Sequence, residues 1–314
     1  MRPTPRASRT ALAFVALGVV WGSGFLCIRI GLEAVSLWQL VLLRVAVGAA
    51  VLSVVAVVLH RPWPRMFQAW WRLVVLAAVG LVLPFTMYAY AGEHIPSGLS
   101  SIYNAGVPVA TALIMLVALR GERVGSFGLT GIAVGAVGIV IVLAPWQWSG
   151  AGGFDVSAQL ACIVAVFGNG FAFAWTRKMI APLGLDPISA TAAQMIAGTA
   201  IQLLYAPWVD LTPIRFDWLP LALLALLGAL GTGIAYVWSL QVITVWGAVA
   251  TSMVTYLVTL VAVILGALLL AEQLEWPQFV GGAIVLVGVA LGILGARRAR
   301  AQATIQSGSG PITS

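Results

Sequence analysis

The segment Ser97–Val142 recurs without a gap as Gly247–Gly292, at an offset of 150 residues. That register sets Glu122 on Glu272, Gly131 on Gly281 and Gly138 on Gly288. The same offset sets Arg44-Val-Ala-Val-Gly48 on Gln194-Met-Ile-Ala-Gly198. A chain written twice must fold as two copies of one unit that bury their faces against each other. When such a chain lives in lipid, the typical outcome is a carrier whose site lies between the repeats.

Lipid is the solvent that the composition requires. The chain is 61% hydrophobic and 8% charged over 314 residues, with mean hydropathy +1.05. A soluble core of this length needs far more polar surface. Ten stretches are apolar and long enough to span at about 20 residues each: 11–32, 37–59, 71–91, 97–119, 126–144, 158–176, 187–207, 218–240, 246–270 and 277–295. Backbone amides find no water inside a bilayer, so each span is expected to be helical. Strand-like alternation is absent, which argues against a β-barrel. The predicted fold is an all-α membrane protein of ten transmembrane helices, arranged as two inverted five-helix repeats.

The charges report the orientation. With net charge +7, nucleic-acid binding is a class to consider. Placement argues against it. Arg2, Arg6, Arg9, Arg61, Arg65, Arg72, Arg120, Arg123, Arg177, Lys178, Arg297, Arg298 and Arg300 all fall on one side if the N-terminus is cytoplasmic. Arg215 falls outside, together with Glu33, Glu93, Asp155, Asp210, Asp217, Glu272 and Glu275. This is the positive-inside rule, and it predicts a multi-pass protein of the plasma (bacterial inner) membrane with both termini cytoplasmic. The basic and apolar start is read as a retained first helix, since Trp21-Gly-Ser-Gly-Phe25 continues it where a signal peptide would show a cleavage site.

The predicted organisation is a basic N-tail over 1–10, a first repeat over 11–145, an outside linker over 146–155, a second repeat over 156–296 and a basic, disordered tail over 297–314. The linker lies in the turn-rich run Pro145-Trp-Gln-Trp-Ser-Gly-Ala-Gly-Gly-Phe154. Five helices per copy is an odd number, so the second copy enters from the opposite face. The turn Arg120-Gly-Glu122-Arg123 reads Leu270-Ala-Glu272-Gln273 in the second copy. Loss of arginine there is what an outside location demands.

Inside the spans the informative residues are few. No Asp or Glu lies deep in any span, so a carboxylate-based proton relay is not expected, and facilitated diffusion or exchange is. Arg44 lies about seven residues into its span, roughly 10 Å deep at 1.5 Å per residue. Snorkelling or a carbonyl clamp accounts for such a residue, and so does a counter-charge for a substrate carboxylate. Trp21, Tyr88, Asn104, Asn169, Tyr236, Trp238 and Tyr256 recur in equivalent helices of both halves, as suits a cavity for an amphipathic solute. Gly131-x-x-x-Gly135 and Gly288-x-x-x-Gly292 point to close helix packing, as support or as a dimer surface. Cys27 and Cys162 read as buried thiols, their matching depth leaving a disulfide open. No phosphate loop, metal cluster or nucleophile set is legible, so no cofactor and no enzymatic activity are expected. A pore is disfavoured too, since no ring of like charges is visible.

Trp21-Gly-Ser-Gly-Phe25, Arg29-Ile-Gly-Leu, Leu43-Arg44, Ser97-Gly-Leu-Ser-Ser, Pro108 and Glu122 resemble the EamA-like family of the drug/metabolite transporter superfamily, as do Ala271-Glu272-Gln273-Leu274, Gly281 and Gly288. The resemblance implies ten helices, a central cavity lined by the first four helices of each half, and transport of small metabolites, commonly amino acids and their relatives. The second half departs from it, with Val258 at the place of Pro108 and Gln194 at the place of Arg44. The related small multidrug antiporters use a first-helix glutamate, and here that helix carries no acid before Glu33. The expected function is a secondary transporter, in the export direction, of an amino acid or related zwitterion or anion, bound by Trp21, Arg44, Tyr88, Asn104, Asn169, Tyr236, Trp238 and Tyr256. Sugars, nucleosides or vitamins are the alternative cargo; a membrane assembly factor or lipid-modifying enzyme is the alternative class. The expected partners are a small-molecule solute and the lipid bilayer, with a homodimer open.

Overall fold

A computed structural model describes residues 5–94, 100, 103–117, 125–143, 156–209, 214–269 and 276–308. Glu122, Glu272, the linker 146–155 and the last residues of the C-terminal tail lie outside them. Among the described residues every regular element is helical. The helices are α1 (Pro5–Gly31), α2 (Leu37–Val58), α3 (Phe67–His94), α4 (Val107–Val117), α5 (Ser126–Leu143), α6 (Val156–Leu183), α7 (Pro187–Tyr205), α8 (Trp218–Trp246), α9 (248–269) and α10 (Trp276–Gly308).

Five of them are long and apolar enough to cross a membrane: Arg9–Gly31, Leu37–Val58, Phe67–His94, Val156–Leu183 and Trp218–Trp246. Shorter apolar helices occupy Val107–Val117, Ser126–Gly138, Ala248–Ala262 and Phe279–Gly292. Large apolar side chains stand exposed at helical spacing, as at Leu12, Val15 and Val19, or Val109, Leu113 and Leu116. Such a surface is stable only against hydrocarbon, and the chain is a multi-pass membrane protein.

Local chemistry repeats along with the sequence. Ser36 caps α2 in a reciprocal box: the Gln39 N–H donates to Ser36 Oγ (3.4 Å) and the Ser36 N–H donates to Gln39 Oε1 (2.8 Å). At offset 150, Asp186 caps α7, accepting from the N–H groups of Ile188 (3.1 Å) and Ser189 (3.2 Å). Both third helices widen into a π-turn at matching positions, Ala78–Val82 in α3 and Leu227–Ile234 in α8. In α3 the cause is Pro84, which lacks an N–H and crowds the preceding turn. In α8 the glycines Gly228, Gly231 and Gly233 do the same work by weakening the helix.

The fourth helices are interrupted at matching depth as well. Gly106 N–H closes a turn onto Tyr103 O (2.8 Å) before α4 begins at Val107-Pro108, and Tyr256 N–H closes one onto Met253 O (3.1 Å) within α9. Val258 stands where α4 has Pro108, and hydroxyls replace the proline. Thr251 Oγ1 donates to Gly247 O (2.6 Å), Ser252 Oγ to Val249 O (2.7 Å) and Thr255 Oγ1 to Ser252 O (2.9 Å). Such back-bonding bends helices.

Packing obeys an exchange rule. α1 packs on α8 and α9, and its counterpart α6 packs on α3 and α4. α2 packs on α7 and α8, and α7 packs on α2 and α3. α5 and α10 pack on each other. Directions follow from the glycines. Gly128, Gly131 and Gly135 meet Gly295, Gly292 and Gly288 in turn, so α5 and α10 run antiparallel. A Cβ on Gly288 would stand 2.6 Å from Gly135 N. The glycine faces are therefore filled within the chain, as a support between the repeats. α2 and α7 are also antiparallel, since Arg61 pairs with Asp186 while Val45 faces Gly198.

Candidate functional site

Between the repeats lies a cavity of about 130 Å³. Cavities near 150 Å³ hold a benzene-sized molecule, so the space suits a small solute. Six of the expected site residues line it: Trp21, Arg44, Tyr88, Asn104, Asn169 and Tyr236. They come from α1, α2, α3, the turn before α4, α6 and α8, and so from both repeats.

Two expected residues stand outside the lining. Tyr256 is fully buried, its hydroxyl donating to Ile132 O (2.9 Å), with its ring in the notch left by Gly135. It ties α9 to α5. Trp238, half-buried on α8, is also absent from the wall. At 3.6 residues per turn, Trp238 cannot share the inward face of Tyr236 and Ser239.

An aromatic row runs across the cavity. Trp21 meets Phe173 edge-on (6.4 Å between centroids) and Tyr236 at 5.5 Å, and Tyr236 meets Phe85 at 6.2 Å. The Arg44 guanidinium lies 3.7 Å over the Phe85 ring, which is cation–π geometry. Trp21 Nε1 donates to Gly231 O (2.9 Å), a carbonyl in the π-turn of α8. The π-turn thus holds an aromatic of the other repeat. Across the cavity Tyr88 donates to Asn104 Oδ1 (3.2 Å), with Asn169 beside the same hydroxyl.

Arg44 is 6% exposed. Its Nε donates to Thr232 Oγ1 (3.1 Å). Gly228, one turn earlier on α8, admits the Arg44 carbonyl; a Cβ there would stand 2.9 Å from it. No carboxylate among the described residues lies within ion-pair distance of this guanidinium; the pair that does form is Arg61–Asp186, at 3.6 Å. Removing a charge from water without a counter-ion is costly; here the Thr232 hydroxyl and the Phe85 ring face the guanidinium.

Gln194, Thr191, Ser239, Thr176 and Thr255 also line the cavity, with Phe25, Phe85 and Phe173. Sequence reading did not select them as site residues. For Gln194 a signal existed, because the repeat register sets it on Arg44. Gln194 is 5% exposed and its Nε2 has no hydrogen-bond partner. Phe85 carried no polar mark, and only the fold brings it under Arg44. Cys27 and Cys162 are buried free thiols, Cys162 Sγ lying 3.9 Å from Ser100 Oγ.

Both ends of the cavity are tied across the repeats. At one end Arg72 Nη1 donates to Met179 O (3.0 Å), Trp175 Nε1 to Arg72 O (3.0 Å) and Ser189 Oγ to Pro62 O (2.7 Å). At the other, Tyr103 donates to Gln159 Oε1 (2.8 Å), the Tyr90 hydroxyl bonds Ser157 Oγ (2.8 Å) and Arg215 N–H donates to Ala34 O (2.8 Å).

Comparison with known proteins places these features. The profile of the EamA-like transporter family matches twice, over residues 8–144 and 156–294. A probable terminal-alkyne amino-acid exporter from Streptantibioticus cattleyicolor is 28% identical over 292 residues, covering 91% of this chain and 94% of its own length. The uncharacterized inner membrane transporter YedA of Escherichia coli is 25% identical over 293 residues, covering 90% of each. A solved structure described only as "Crystal structure of protein" superposes with TM-score 0.73 at 18% identity, over 93% of this chain and 98% of its own. That last likeness is one of fold.

Proposed function

The chain belongs to the EamA-like transporter family, and from that premise we propose that it is a secondary transporter. Its relatives are transporters, and it is not an enzyme. In our reading it carries a small amphipathic solute, an amino acid or a related zwitterion or anion, by alternating access, and in the export direction. The relative named as a probable terminal-alkyne amino-acid exporter supports that cargo class. The membrane is the inner membrane, as for YedA, with both termini cytoplasmic.

The single observation that carries the cargo class is Arg44: a buried guanidinium without a carboxylate partner among the described residues, on the wall of a cavity built by both repeats. A substrate carboxylate supplies the missing counter-charge, and the row from Phe173 to Phe85 receives the apolar part. Trp21, Tyr88, Asn104, Asn169 and Tyr236 complete the proposed contacts.

The helix directions support ten alternating crossings. α1 runs parallel to α9, because Gly18 faces Leu257 and Gly22 faces Val261. α6 runs parallel to α4, because Gly170 faces Ala110 and Gly106 faces Val166. Equivalent helices α2 and α7, and α5 and α10, are antiparallel, as inversion requires. The tie sets at the two ends then act as alternate gates, one opening while the other holds.

Proteoliposome flux with a panel of labelled amino acids tests the reading. Saturable flux of at least one, lost in Arg44→Leu, is expected. No flux for any amino acid, with sugars or nucleosides carried instead, overturns the cargo class.

A further inference from the structure

We infer that the cavity prefers a net anion: a small carboxylate bearing a second acceptor oxygen, as in a 2-oxo or 2-hydroxy acid, over the zwitterionic amino acid of the same skeleton. This rests on the carrier reading above and narrows its substrate class.

The first argument is charge balance. Among the described residues Arg44 is the one charged group on the cavity wall, and no Asp or Glu lines it. A monoanion cancels the buried charge. A zwitterion brings a carboxylate for Arg44 and also an ammonium, which then has no carboxylate to meet. The site is left with net positive charge in a poorly screened interior, where such a charge costs most.

The second argument is donor count. Gln194 enters the same cavity from α7, and its buried Nε2 is without a partner. Arg44 of α2 and Gln194 of α7 line the same cavity, and their chain neighbours Val45 and Met195 pack in one cluster. An unmatched buried donor asks for an acceptor on the solute. A keto or hydroxyl oxygen beside the carboxylate answers it; an ammonium opposes it with more N–H groups. One acceptor on the wall, Asn104 Oδ1, is engaged by the Tyr88 hydroxyl.

The test is calorimetric titration of the purified full-length protein with L-leucine and with 4-methyl-2-oxopentanoate, which share a carbon skeleton. The oxo acid is expected to bind at least tenfold tighter. Gln194→Leu is expected to shrink that advantage to under threefold, and Arg44→Leu to abolish binding of both. Leucine binding as tightly as the oxo acid in the unaltered protein overturns the inference while leaving the carrier reading in place. An advantage undiminished in Gln194→Leu overturns the role of Gln194. Binding of neither, alongside silent amino-acid flux, overturns both readings. The comparison in the unaltered protein decides even if a variant fails to fold.

Discussion

The α5–α10 seam and the cavity are both places where the two repeats meet, and they are built on opposite terms. At the seam, Gly131, Gly135, Gly288 and Gly292 remove side chains until backbone faces backbone, and the Tyr256 ring fills the notch beside Gly135 with its hydroxyl bonded to Ile132 O. At the cavity, aromatics from both repeats line the wall, Gln194 Nε2 is a buried donor without a partner, and Arg44 has no carboxylate within ion-pair distance among the described residues. One contact is closed and self-sufficient. The other is left incomplete, which is the condition for taking a ligand and for changing shape when it does. The lesson is that stability and binding are divided between helices, so substitutions in the two regions should fail in different ways.

The largest effect is expected at the seam. Gly288→Leu places a branched side chain where even a Cβ lies 2.6 Å from Gly135 N. The helices must separate, at a cost of about 3 kcal/mol or more. Detergent-solubilised protein should lose most of its monodisperse fraction and melt well below the parent. A melting temperature unchanged by this substitution would break the comparison.

Arg44→Leu should do the reverse. It removes an uncompensated buried cation, so thermal stability should hold or rise. Flux should fall about 100-fold, the worth of a charge-assisted contact of roughly 3 kcal/mol. A fall in stability equal to that at the seam would show Arg44 to be structural.

How far all this is legible in the chain depends on the kind of signal. The repeat and its offset carry over to cap, π-turn and helix break, because those features are local: Ser36 and Asp186 are both capping residues, and each third helix has its helix-weakening residues. Arg44, Trp21 and the Tyr and Asn residues of the wall stand out as polar or amphipathic groups in apolar spans. Tyr256 carries the same mark but faces Gly135, because which face a helix turns inward depends on its neighbours. Phe85 carries no polar mark, and Gly228 reads as a helix-weakening residue with no sign of the helix it admits. Their roles follow from where the π-turn of α8 sets Thr232 and from the glycine gap that lets α2 approach, and neither is encoded locally.

The smallest effect sharpens the boundary between the regions. Trp21→Phe keeps a ring against Tyr236 and Phe173 but loses the bond to Gly231 O. A loss of about 1 kcal/mol is expected, with substrate affinity reduced only severalfold. A stability loss as large as that of Gly288→Leu would place Trp21 with the seam rather than with the cavity.

The central claim is that the two repeats carry solute by turn about a cavity centred on Arg44. It is tested most directly by trans-stimulation, using proteoliposomes loaded with a labelled substrate identified in the flux panel. Efflux into buffer containing the same unlabelled solute should be several times faster than efflux into plain buffer, and the acceleration should vanish in Arg44→Leu. Efflux at one rate whatever the external solute would mean a pore or a leak, and would contradict the account.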